Sequence, residues 1–180
     1  MTLEATEECA GSGDQQQAVD DWMQALIRDY QDKLTCGLYE AIYALDGSSQ
    51  GALMEGQARS CVAAFLKLTN LPTPMDLDSF LNAMRISGPS QVEIQREGDV
   101  IHWTELHHGQ CVCPFVRRQV VRLHPTLCIC GAYWVKYLFE TVAHTAVEVE
   151  TIETVATGAE NCCFRITVQG EARPDDRDTG

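Results

Sequence analysis

Residues 92–104, VEIQREGDVIHWT, decide the fold. Val92, Ile94 and Arg96 alternate with polar neighbours, Glu97-Gly98-Asp99 supplies a turn, and Val100, His102 and Thr104 then alternate with Ile101 and Trp103 on the other face. A period of two on both sides of a glycine-bearing turn predicts a β-hairpin. The pattern returns at residues 147–168. There Val147-Glu148-Val149-Glu150 alternates, Thr157-Gly158-Ala159 makes the turn, and Cys162, Phe164, Ile166 and Val168 share one face of a return strand.

Outside the hairpins the apolar period changes to that of helices. From Gln15 onward, Val19, Trp22, Met23, Leu26, Ile27 and Tyr30 recur at steps of three and four, which predicts an amphipathic helix with one buried face running to about Leu45. A second helix is expected over residues 50–69, carrying Leu53, Met54, Cys61, Ala64, Phe65 and Leu68. Leu71-Pro72-Thr73-Pro74 ends it, because proline cannot continue the hydrogen-bond ladder. Asp76 or Asp78 is placed to cap a short helix through Arg85, and Gly88-Pro89 breaks the chain before the first hairpin. Between the hairpins, Pro125 suits the first turn of a helix whose apolar face is Leu127, Trp134, Val135, Leu138, Phe139 and Val142. Helices, hairpin, loop, helix, hairpin is the order of an α+β fold, with N-terminal helices packed on an antiparallel sheet. One domain over 15–169 is expected, with short polar tails at 1–14 and 170–180.

With 45% hydrophobic and 22% charged residues in 180, the composition is that of a globular core. The net charge of −13 repels phosphate backbones and anionic lipid, which argues against nucleic acid and membrane surfaces as partners. Arg117, Arg118 and Arg122 form the one basic cluster. No apolar run reaches the ~18 residues of a membrane span, and the acidic opening MTLEATEECAGSGD is unlike a signal peptide, so a cytoplasmic location is expected. In a reducing compartment, nine cysteines point to metal ligands or reactive thiols rather than to disulfides.

Cys111-Val112-Cys113 and Cys128-Ile129-Cys130 repeat a C-x-C spacing, and Cys162-Cys163 adds a doublet. Extended backbone projects Cys111 and Cys113 to the same side. In a helix, residues two apart differ by about 200°, so Cys128 and Cys130 share a site only where the helix has not begun. On the return strand Cys162 points with Phe164 to the core and Cys163 points away. Thiolates at Cys111, Cys113, Cys128, Cys130 and Cys162 are therefore candidate ligands for zinc, with an iron–sulfur cluster as the second choice. Cys128 near a helix N-terminus is also a candidate nucleophile, with His124 as its base. His107, His108 and Glu105 are secondary candidates beside the thiols. Cys36 and Cys61 read as small buried hydrophobes, Cys9 has no assigned role, and Glu148, Glu150 and Glu153 read as the solvated side of an edge strand.

The stretches HHGQCVCPFV (107–116), HPTLCICGAYWVKYLFE (124–140) and VEVETIETVATGAENCCFRI (147–166) resemble the superfamily that joins the 4-vinyl reductase domain to the L-2-amino-thiazoline-4-carboxylic acid hydrolases. The shared parts are Cys113-Pro114 after a hairpin, Cys128 and Cys130 at a helix entrance, and Gly158 through Cys162 opening the last strand. The resemblance implies a small α+β fold related to vesicle-tethering and nitric-oxide-sensor domains, with a small-molecule pocket between helices and sheet. In the sensor branch it implies zinc on three cysteines and a glutamate. Cys128 and Cys162 match two of these, while Thr154 and Thr151 stand where the other cysteine and the glutamate belong.

The leading expectation is a hydrolase opening a C=N bond of a small cyclic substrate, by metal-activated water or by Cys128 with His124 moving the proton. The alternative is a zinc-containing, non-catalytic small-molecule sensor. A third reading is a homodimeric scaffold whose helices bury their outer faces on each other.

Overall fold

The computed structural model describes residues 12–87 and 91–169. Cys9, the Gly88-Pro89 break, the 170–180 tail and most of the 1–14 tail lie outside them. Three helices come first: α1 (Ser12–Tyr43), α2 (Gly47–Thr69) and α3 (Leu77–Ser87). The hairpin β1 (Val92–Glu97) and β2 (Val100–Glu105) follows, then the single turn α4 (Pro114–Arg117) and the long α5 (Pro125–Val142). Strands β3 (Val147–Glu153) and β4 (Cys162–Val168) close the chain. All pairings are antiparallel and the strand order is β1-β2-β4-β3, so the two expected hairpins join into one four-stranded sheet through β2 and β4. The α+β architecture is as the sequence predicts.

Local chemistry explains the boundaries. Asp46 caps α2 by accepting from the Ser49 amide at 3.0 Å, and Asn70 ends it in the left-handed region at φ 49°. Asp76 caps α3 by accepting from the Ser79 amide at 2.9 Å. Gly98 takes φ 62° in the two-residue β1–β2 turn, a conformation that glycine adopts without steric cost.

Alternation puts Val92, Ile94, Ile101, Trp103, Phe164 and Ile166 on the inner sheet face, where they meet Val135, Leu138, Phe139 and Val142 of α5 and Phe80, Leu81 and Met84 of α3. Burial of each large side chain contributes about 1.5–3 kcal/mol, so this layer dominates stability. At Gly131 an added Cβ would stand 3.3 Å from the Phe164 ring, which shows how closely α5 rides on β4. The outer sheet face, with Glu93, Gln95, His102 and Arg165, is open to solvent. A smaller cluster of Tyr39, Ile42, Met54, Val121 and Leu127 fastens the end of α1 to α2 and α5.

The remainder of α1 departs from expectation. Its apolar stripe, predicted to face a core, is exposed: Trp22 61%, Tyr30 67%, Leu34 60% and Leu38 58%. The last turns of the helix are fastened to the body, and among the described residues the stripe ahead of them has no element packed over it.

Candidate functional site

Two features stand out: the thiols around the start of α5, and the open face of α1.

The thiols divide into two groups because α5 is already helical at Pro125, which turns Cys128 and Cys130 to different sides. Cys128 neighbours Cys111, Cys162 and Glu105, where the loop after β2 meets the first residue of β4. Burial pushes the Cys111 thiol up and that of Cys162 to about 12, and the negative charge of Glu105 adds to both. The raised pKa values of Cys111 and Cys162 make those two thiols poor nucleophiles at neutral pH. Cys130 faces the other way, towards Cys61 of α2 and Cys113 at the entry of α4. Here the Cys130 thiol hydrogen-bonds the Cys61 sulfur, and the Gln57 amide donates to it at 3.2 Å. Both contacts hold Cys61 down at about 6, while the pair's proton stays on Cys130, whose pKa moves up. Cys61 is thus half-buried and polar-contacted, with its pKa lowered, where a small buried hydrophobe was expected, and Cys36 is exposed rather than buried. Cys163 points outward as expected, donating to Glu153 at 3.3 Å.

His124 is the N-cap of α5. Its Nδ1 accepts from the Thr126 amide at 3.2 Å and its ring stacks on Tyr43 at 4.2 Å. The lone pair that a general base needs is committed to the backbone, so this geometry serves the helix end. Trp103, Glu105 and His107 follow one another at a spacing of two on the inner face, and form a buried chain: Trp103 Nε1 donates to Glu105 at 3.2 Å, and Glu105 meets His107 Nε2 at 2.9 Å. The period-two pattern of β2, read two residues further, was the signal for it. His108 is exposed beside Glu160.

A groove of about 570 Å³ lies between α5 and strands β3 and β4, lined by Tyr133, Lys136, Glu148, Glu150 and Arg165 among others, with no cysteine among its lining residues. The thiols and this groove are separate features. The basic cluster is engaged with α1: Arg118 binds Asp32 through two contacts of 2.9 and 2.7 Å, and Arg122 binds Glu40 at 2.7 Å.

Comparison with known proteins adds the following. Residues 92–173, which run from β1 past β4, match the profile of a family of unknown function (DUF6144). No curated protein matches. Among solved structures, the chain is similar to a trafficking protein particle complex subunit 3 from Naegleria fowleri covalently bound to palmitic acid, with a TM-score of 0.50 and 9% identity over 78% of this chain and 96% of that one. At that identity the likeness is one of fold: helices followed by a four-stranded antiparallel sheet.

These findings correct the description of the chain as a zinc-binding hydrolase. Among the described residues no group of three or more His, Cys, Asp or Glu side chains is arranged to hold a metal ion, and the similar structure is a trafficking subunit, neither a hydrolase nor a zinc protein. The physical reason is the split at α5. Cys128 and Cys130 point in directions about 200° apart, and among the described residues no three of the five candidate thiols stand close enough to share an ion. Among the described residues no helix is long and apolar enough to cross a membrane.

Proposed function

We propose that this chain is a non-catalytic assembly subunit that docks other protein through the apolar face of α1. One observation carries the reading: eight large apolar side chains of α1, from Val19 to Leu38, are each at least 41% exposed. Contiguous exposed apolar surface of this kind marks interaction sites, whereas scattered exposed residues do not. A helix supported only at its end is marginal in water, so the fold gains by covering that stripe. The fold's likeness to a subunit of a multi-protein trafficking particle agrees with an assembly role. Ion pairs from Arg118 to Asp32 and from Arg122 to Glu40 tie the second half of α1 to the segment around α4.

Sedimentation velocity tests the reading. The wild type should sediment above the 20.0 kDa of one chain, and Leu26→Asp with Leu34→Asp should return it to one chain without loss of sheet signal. Wild type and variant both sedimenting as single chains would sink it.

A further inference from the structure

We infer that the occupant of the α1 face is a second copy of this chain, laid antiparallel across it with a two-fold axis passing between Leu26 and Ile27. This rests on the docking role of α1 proposed above and adds its partner and register.

A two-fold interface must be complementary to itself, since each patch meets its own copy. The α1 stripe has that property. Val19 and Leu34, Met23 and Tyr30, and Leu26 and Ile27 are three pairs equidistant from one midpoint. At 100° per residue all six lie within roughly 50° of the line that bisects the stripe. Antiparallel helices centred on that midpoint therefore set apolar against apolar in every layer: Met23 against Tyr30, Val19 against Leu34, and the Leu26-Ile27 step against itself. All six are between 41% and 67% exposed, so none is committed to the body of its own chain.

The charges obey the same symmetry. Asp20 and Lys33 are also equidistant from the midpoint, so each end of the seam carries opposite signs at one level rather than a like-charge clash. Asp21 and Asp32, the pair of like sign, fall on the face turned away from the seam, and Asp32 is already held by Arg118. Half-exposed side chains along about 22 Å of helix offer roughly the 800 Å² per partner that a stable interface buries. Outside the described residues, 1–11 carry Met1 and Leu3 as their large apolar side chains and 170–180 carry none.

The test is a register-specific exchange read by sedimentation equilibrium on the full chain. Wild type should be a dimer. Met23→Lys and Tyr30→Glu should each weaken self-association about ten-fold or more, with circular dichroism and thermal unfolding confirming that both are folded. Mixing the two variants should recover the dimer, because the lysine introduced at 23 on one chain faces the glutamate introduced at 30 on the other. If each variant dissociates but the mixture stays dissociated, or the wild type forms a species larger than a dimer, the antiparallel pairing is overturned while α1 remains the docking face; a wild type that sediments as a single chain overturns both. If both variants sediment as the wild type does, pairing and docking face fall together.

Discussion

Glu105 Oε2 stands 2.9 Å from His107 Nε2 with both residues buried, and the ring's Nδ1 has no hydrogen-bond partner among the described residues. The carboxylate also accepts from Trp103, so it pairs with two buried side chains at once. Replacing it with a shorter apolar side chain leaves those polar atoms buried and unpaired.

Glu105→Ala is therefore expected to cost about 3 kcal/mol in urea unfolding, within the range for breaking a buried polar pair. Replacing Glu105 and His107 together by leucine should recover only the part of that loss due to His107, since the Trp103 indole N–H stays buried without its acceptor. A Glu105→Ala protein within about 1 kcal/mol of wild type would show that water reaches this site.

Cys61 should be the first thiol to react. Folding lowers its pKa, so the folded state is favoured while it is a thiolate. That contribution is complete above the unfolded thiol's value of about 8.5 and vanishes as the pH falls through about 6. Iodoacetamide labelling followed by peptide mass analysis should show Cys61 modified with a midpoint near pH 6, and Cys130→Ala should move that midpoint towards the ordinary thiol range. The stability difference between wild type and Cys61→Ala should shrink on acidification. Labelling of Cys61 in step with the other thiols contradicts this arrangement.

His124 distinguishes helix capping from catalysis. Its removal in His124→Ala should lower stability by about 1 kcal/mol, and His124→Asn, whose oxygen can accept from the Thr126 amide, should restore most of it. Thermal unfolding reads both. Equal destabilisation by alanine and asparagine would assign the effect to the Tyr43 stack instead.

Self-association should tighten with salt. Each copy carries −13, so two copies repel through solvent while their apolar stripes attract. Raising ionic strength from about 0.1 M to about 1 M shortens the Debye length from about 10 to about 3 Å and removes the repulsion. A dimer that weakens over that range would mean that ion pairs, not apolar contact, hold it.

The hairpins were legible because Val92, Ile94, Ile101 and Trp103 alternate without interruption around a turn that requires Gly98. The α5 helix was legible from Pro125 and the spacing of Val135, Leu138 and Phe139. The fate of α1 was not: the stripe from Val19 to Leu38 has the same period whether it meets a core or stands open, and local sequence does not decide between the two. Cysteine spacing misled for a related reason. Cys128 and Cys130 are two apart in sequence, yet about 200° of helical rotation sends them to different sets of neighbours, and Cys61, distant in sequence, becomes the partner of Cys130 only through the packing of α2 on α5.

Tyr39 and Ile42 seat the end of α1 in the body of the molecule. The helix ahead of them keeps eight large apolar side chains open to solvent, so limited proteolysis of an unassembled chain should cut there first. Under the docking proposed above the same residues are covered, and protection from a protease becomes a measure of assembly.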